Sequence, residues 1–162
     1  MERSSGSEGV SRGAALRLFA TGLCVVALDQ AGRISGEEDV GVAVLLHDLG
    51  KGLTRKDRLP SHVGHESAGV PLVEAVCARF RMPNHTRRLA LQVCGHHLDC
   101  HRLLEARPAT VMKLLERLDA LRHGDVTEFV QACEADFRGR EGRDEADYPQ
   151  GRRLHAALHA AR

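Results

Sequence analysis

Apolar residues recur at helical spacing along most of the chain, and this pattern predicts a series of amphipathic or buried helices. Gly, Pro and acidic residues mark the ends of these segments, and no strand-like alternation or internal repeat interrupts them. The sequence therefore predicts an all-α fold. The predicted helical segments are 14–31, 37–49, 65–80, 83–98, 109–121 and 126–135.

The same pattern divides the chain into three parts. Residues 1–13 are rich in Ser, Gly and Glu without any period, so they are predicted to be a disordered N-terminal segment. Residues 14–138 hold the predicted helices and form a single helical domain. Residues 139–162 are predicted to be a polar loop followed by a C-terminal helical tail.

Composition supports this prediction and limits the functional classes. The sequence is 43% hydrophobic but has only four Phe, one Tyr and no Trp, so its core must come from Leu, Val and Ala. The formal charge of +1 gives the chain no polycationic character. Its five cysteines include no C-x-x-C pair, and the apolar stretch 18–28 is too short to span a bilayer. These features predict a cytoplasmic protein with free thiols and no membrane association.

The most informative chemical feature is His47-Asp48, at the end of the apolar run 41–49. Burying an ionised carboxylate costs several kcal/mol unless it is paired or ligated. A divalent cation shared by the imidazole and the carboxylate would remove that cost. For the pair alone, a buried Asp held by a basic neighbour is the simpler interpretation.

Other side chains of the same chemistry favour a metal site. His62 and His65 follow a basic loop, His97 and His101 lie on one face of a predicted helix, and Asp119 lies at the edge of the stripe in 109–121. Together with His47-Asp48 they suit one or two divalent cations. A zinc site is an alternative that we favour less, because paired short spacings are absent; its ligands would be Cys94, His97, Cys100 and His101.

These residues lie within a longer match to a known family. The chain resembles the HD domain in the C-terminal half of bacterial CCA-adding tRNA nucleotidyltransferases, in order over about residues 20–155. The segments that carry the resemblance are 45–54, 64–66, 70–77, 81–84, 113–120, 134–140 and 146–152.

The resemblance implies a metal-dependent phosphohydrolase of 2′,3′-cyclic phosphodiesters, 2′-nucleotides and phosphomonoesters, with nucleotides or a tRNA 3′ end as substrate. Magnesium or nickel is the implied cofactor, with manganese or zinc as further candidates. The implied catalytic residues are His47, Asp48 and Lys51, and the metal ligands are His47, Asp48 and Asp119. His65 and His97 are candidates for further ligation or phosphate contact, Lys51 or Arg55 for charge neutralisation, and Arg55, Arg138 and Arg140 for RNA or phosphate contact.

Two departures from the family pattern raise an alternative. The family begins with Thr-Gly-x-His, whose histidine is the first ligand, whereas this chain has Cys24 at that place after Thr21-Gly22-Leu23. The nucleotidyltransferase head is also missing, so we expect a separated or truncated HD module that does not add CCA by itself. The alternative is a catalytically weakened module that binds tRNA or a partner chain through Arg87-Arg88 and residues 138–143. A homodimer through exposed apolar helix faces is a further hypothesis.

Overall fold

The computed structural model describes residues 25–162 and consists of helices joined by short turns. A helix runs through residues 25–34 (α1), and no strand occurs in the described part of the chain, which confirms the all-α fold class. The remaining α-helices are α2 Glu38–Leu46, α3 His65–Arg79, α4 Asn84–His101, α5 Pro108–Arg117, α6 Ala120–His123, α7 Thr127–Arg138 and α8 Pro149–Ala160. Short 3-10 helices lie at Leu49–Leu53, Lys56–Arg58 and Leu103–Glu105.

Helix α4 is central and packs against α2, α3 and α7. Its buried face carries Leu89, Ala90, Val93, Cys94 and Cys100, which shows how a core with few aromatic residues is filled by aliphatic and thiol side chains. The same face also buries His97, so the packing of α4 brings a polar group into the core. The described helices include none that is both long and apolar enough to cross a membrane.

The structure corrects the predicted helix 109–121. Helix α5 ends at Arg117, and Asp119 adopts a left-handed conformation with φ of +53° before the short helix α6. The apolar stripe continues through Leu118 and Ala120, so periodicity alone could not show this break.

Helix α7 also extends beyond its predicted end. It continues past Ala135 to Arg138, where Gly139 packs closely against α1. A Cβ atom at Gly139 would lie 2.8 Å from the Cα of Ala27, so this contact requires glycine. The extra turn of α7 places Asp136 on a helix, and this matters for the site described next.

Candidate metal centre

The His47-Asp48 pair lies where α2 ends. The apolar run of α2 buries Val40, Ala43 and Val44, and the chain then turns at His47 into the 3-10 helix Leu49–Leu53. His47 is 2% exposed and the Asp48 side chain 14% exposed, so both reach the interior beside α4. The predicted burial of this pair is what the structure shows.

Four histidine rings gather at this point, and each has its Nδ1 occupied. The Nδ1 atoms of His47, His65 and His97 lie 2.6, 2.7 and 3.0 Å from the backbone oxygens of Val44, His62 and Val93 respectively. A carbonyl can only accept, so each Nδ1–H donates and each Nε2 is left facing the interior. The Nδ1 of His101 is 3.0 Å from the Tyr148 hydroxyl oxygen. Such an outer contact is typical of histidines that bind a metal through Nε2.

Two carboxylates face these Nε2 atoms. Asp48 lies 3.2 Å from His47 Nε2 through Oδ2 and 3.1 Å from His65 Nε2 through Oδ1. Asp136, from α7, lies 3.4 Å from His47 Nε2 through Oδ1 and 2.7 Å from His101 Nε2 through Oδ2. Two overlapping groups, His47–His97–Asp136 and Asp48–His65–His97, each have the spacing of a metal-ligand set.

A divalent cation fits this arrangement. His47 Nε2, Asp48 Oδ1 and His65 Nε2 are buried atoms that form no well-aligned hydrogen bond. His47 Nε2 lies 3.2 Å from Asp48 Oδ2, and His65 Nε2 lies 3.1 Å from Asp48 Oδ1. Such orphaned atoms are costly in a core and are rare in folded proteins. Imidazole nitrogen and carboxylate oxygen are donors that Mg²⁺, Mn²⁺, Ni²⁺ and Zn²⁺ share to differing degrees. The cluster is therefore a candidate metal centre, which we call the His–Asp centre: His47, Asp48, His65, His97, His101 and Asp136.

The pKa values in the His–Asp centre reflect its need for positive charge. Burial lowers the pKa of His47, but the carboxylates of Asp136 and Asp48 outweigh burial and raise it to about 10. Burial raises the pKa values of Asp48 and Asp136, yet the adjacent histidines hold both well below the usual range. Burial and the charge on His47 lower the pKa of His97 to about 3, so His97 stays neutral and free to ligate.

Two exposed cations border the carboxylates of the His–Asp centre. Lys51 Nζ lies 2.5 Å from Asp48 Oδ2, and Arg140 NH2 lies 3.0 Å from Asp136 Oδ2. Both side chains are partly exposed, at 32% and 40%, so they can also reach a ligand arriving from solvent. Lys51 and Arg140 thus contact the two different carboxylates of the His–Asp centre.

Asp119 does not lie in the His–Asp centre, and this corrects its prediction as the distal carboxylate. Its side chain is 45% exposed and pairs with Arg122 at 2.8 Å and His123 at 3.1 Å. The break between α5 and α6 turns Asp119 away from the core, so it lies in the adjacent loop. Asp136 supplies the second carboxylate instead.

The other residues predicted to contact RNA, phosphate or metal are not members of the His–Asp centre. Arg138 donates to the backbone oxygen of Ala146 and pairs with Glu134, so it fastens the loop after α7. Arg55 is exposed and pairs with Asp57 at 3.0 Å. Cys24 lies outside the described residues. Cys94 and Cys100 are buried but belong to no described metal-ligand group, which does not favour the alternative zinc site.

Asp136 is the member of the His–Asp centre that is not predicted from the sequence. The predicted helix ends at Ala135, one residue before Asp136. Phe129, Ala132 and Cys133 are buried on α7, and Asp136 follows them at helical spacing. A carboxylate on an apolar stripe was therefore the signal that could have found it.

Comparisons with known proteins identify the family of the chain. The family model of the HD domain matches residues 25–122. A multifunctional CCA protein of Cupriavidus necator is 51% identical over 138 residues, which cover 85% of this chain and 34% of that protein. Similar proteins of the same name occur in Thioalkalivibrio sulfidiphilus, 52% identical over 82% of this chain and 33% of that one, and in Acinetobacter baumannii, 44% identical over 85% and 34%.

The chain spans about a third of the length of these curated relatives. The aligned portion includes the HD region that holds most of the His–Asp centre. No solved structure gave a significant match.

Proposed function

The chain belongs to the HD domain family, and on that basis we propose that it is a metal-dependent phosphohydrolase of 2′,3′-cyclic phosphodiesters, 2′-nucleotides and related phosphomonoesters. The observation that carries the proposal is the set of inward-facing histidine Nε2 atoms beside Asp48 and Asp136. Buried nitrogen and oxygen atoms that form no hydrogen bond are available as metal ligands, and a metal-dependent hydrolase requires such ligands. We propose RNA 3′ ends as the substrate class, because the chain resembles the HD domain of CCA-adding tRNA nucleotidyltransferases and its relatives are named multifunctional CCA proteins.

His47, Asp48, Asp136 and one or both of His65 and His97 would hold the cation. A divalent cation there would act as a Lewis acid on a phosphoryl oxygen and lower the pKa of an attacking water. Asp48 stays ionised, since its pKa is lowered by the adjacent histidines, and can orient that water through a carboxylate oxygen. His97 keeps its ring fixed through Val93, so its Nε2 does not have to reorient.

Lys51 and Arg140 would neutralise charge as the phosphoryl group reacts. Each already lies against a carboxylate of the His–Asp centre, so an arriving phosphate would meet a cation on either side. Lysine and arginine in such positions stabilise negative charge that develops in the transition state. Removing Lys51 should therefore lower kcat more than it raises KM.

The proposed function can be tested with metal-stripped protein that is reconstituted with Mg²⁺, Mn²⁺ or Ni²⁺. We expect hydrolysis of a 2′,3′-cyclic mononucleotide with at least one of these metals, and a loss of at least about 100-fold in kcat/KM in His47→Ala. His96→Ala is the matched control, because His96 lies on α4 outside the His–Asp centre and, among the described residues, forms its ion pair with Asp99. An inactive wild type with all three metals would contradict the proposal.

The alternative, a weakened RNA-binding module, finds less support. Arg138 is held by Glu134 and the backbone oxygen of Ala146, and Arg87 pairs with Glu74. One arginine in each of the two predicted RNA-contact segments is therefore already engaged within the chain. Salt-sensitive tRNA binding by a protein that lacks hydrolysis would favour this alternative.

A further inference from the structure

A cavity lies beside the His–Asp centre. It has a volume of about 180 Å³, and His65 forms part of its wall. The Nε2 of His65 is 3.1 Å from Asp48 Oδ1, so one side chain separates the cavity from the His–Asp centre. We call this cavity the Arg58 cavity; its other lining residues include Leu53, Thr54, Arg55, Arg58, Ser61 and Val63.

The Arg58 cavity has an excess of positive charge. Arg55 and Arg58 line it, and Lys56 lies between them in the chain, while Asp57 is the acidic residue of this segment. The Arg55–Asp57 pair is 77% and 61% exposed, and ion pairs with such exposure contribute little. Within residues 25–162 the Arg58 guanidinium has no ion-pair partner. An anion entering the cavity would therefore meet Arg58 without displacing a carboxylate.

Backbone geometry adds to this charge. Helix α3 begins at His65, directly after Gly64 in the left-handed conformation with φ of +78°, and both residues line the Arg58 cavity. The positive end of the helix dipole thus lies at the cavity wall. Ser61 supplies an exposed hydroxyl that can donate to an anionic oxygen.

The rim of the Arg58 cavity is apolar. Leu53 and Val63 line it with side chains that are 59% and 89% exposed. An inorganic anion gains nothing from such groups, whereas the carbon surface of a ribose or base would cover them. Cationic and apolar groups side by side therefore match a nucleotide better than a free phosphate.

We propose that the Arg58 cavity binds the phosphate and ribose of the nucleotide next to the scissile phosphate, so that the enzyme prefers oligoribonucleotides over mononucleotides. This inference rests on the proposed function, because the scissile phosphate lies at the His–Asp centre. To the proposed substrate class, RNA 3′ ends, it adds a subsite for the nucleotide next to the scissile phosphate. Arg58 is a specificity-determining residue that contacts the neighbouring phosphate.

The test compares two substrates that differ only in the second nucleotide. One is a 2′,3′-cyclic mononucleotide, and the other is a dinucleotide that ends in the same cyclic phosphate. In Arg58→Gln the KM for the dinucleotide should rise by a factor about ten times that for the mononucleotide. The reason is that the dinucleotide alone loses one charge-assisted hydrogen bond. Arg33→Gln is the matched control, since Arg33 is an exposed arginine of α1 that pairs with Asp29.

The two proposals fail in different ways. An equal change of KM for both substrates in Arg58→Gln, or no change for either, would overturn the Arg58 cavity and leave the hydrolase intact. If the wild type turns over neither substrate, the proposed function fails. Calorimetry of dinucleotide binding then tests separately whether the Arg58 cavity binds the second nucleotide. Tighter binding of the dinucleotide than of the mononucleotide, lost in Arg58→Gln, would support it, and equal affinities would refute it. Ser61→Ala provides a second variant, expected to weaken dinucleotide binding by a smaller factor.

Discussion

At the scale of single residues, the His–Asp centre depends on the contacts that orient its histidine rings through their Nδ1 atoms. Three backbone oxygens and one tyrosine hydroxyl occupy the Nδ1 atoms and leave the Nε2 atoms for a ligand. Tyr148 is itself buried and also contacts Cys100, so the segment before α8 helps to position His101. Fixed rings of this kind bind a cation without loss of side-chain freedom at the moment of binding.

Metal binding should release protons. Without a cation, the carboxylates raise the pKa of His47 to about 10, and the pKa of His65 is also raised. A cation at Nε2 displaces these protons, so we expect about one to two protons released per ion near neutral pH. Titration calorimetry in buffers of different ionisation enthalpy measures this number. Metal binding without any proton release would show that His47 is not a ligand.

The raised pKa of His47 also makes the stability of the metal-free protein depend on pH. The pKa of His47 is raised from 6.5 to about 10 on folding, so the stability from its protonation is complete below pH 6.5. This contribution is lost as the pH rises towards 10. Urea unfolding in the presence of a chelator should show stability falling across this window, and His47→Gln should remove that part of the slope.

Much of the site was predictable from the sequence, and the exception has a physical cause. His47, Asp48, His65 and His97 were recognised from their residue types and positions, and the structure brings all of them together. Asp119, the distal carboxylate that the resemblance implies, lies outside the His–Asp centre, because a left-handed residue ends α5 where the helical periodicity continues. Local pattern cannot show such a break, since the turn is fixed by packing between distant segments.

At the scale of elements, a close crossing positions the His–Asp centre. The 3-10 helix Leu49–Leu53 passes α3 so closely that a Cβ on Gly50 would lie 1.9 Å from the backbone oxygen of His65. Gly69 continues the contact, and a Cβ there would lie 2.8 Å from Cys94 Sγ. Glycines thus allow the Asp48 segment, α3 and α4 to converge.

Substitution at this crossing should therefore damage both stability and the site. Gly50→Ala should lower the free energy of unfolding by about 2–3 kcal/mol, because the methyl group forces α3 away from the 3-10 helix. Metal affinity should fall with it, since His65 moves. Gly52→Ala is the control, because a Cβ there has no neighbour within 4 Å and should change stability by less than about 0.5 kcal/mol. If chemical denaturation shows equal changes in the free energy of unfolding for the two substitutions, the close contact between the 3-10 helix and α3 is contradicted.

At the scale of the whole molecule, the His–Asp centre joins elements that are far apart in the sequence. Its side chains come from the end of α2, the start of α3, the second half of α4 and the end of α7. The all-α class and most helices were predicted from periodicity, whereas this convergence depends on tertiary packing around α4. The homodimer hypothesis stays a prediction, and exposed Val25, Val26 and Leu28 on α1 are where it can be examined.

A cation that ties these elements together should stabilise the fold. At a metal concentration of about 100 times Kd, binding contributes about 2.7 kcal/mol, provided that the unfolded chain does not bind it. For a domain of this size that corresponds to a rise in Tm of about 5–10 °C. Calorimetric scans with metal and with a chelator measure the shift. A Tm that does not depend on metal would mean that the cluster is not a metal site.

The most direct test of the metal centre is a metal titration of the wild type beside Asp136→Asn and Asp119→Asn. Both changes replace a carboxylate by an amide of the same shape, but only Asp136 faces the inward Nε2 atoms. The structure predicts stoichiometric binding by the wild type and by Asp119→Asn, and an affinity reduced by at least about tenfold in Asp136→Asn. Undiminished binding by Asp136→Asn, or its loss in Asp119→Asn alone, would contradict the metal centre described by this structure.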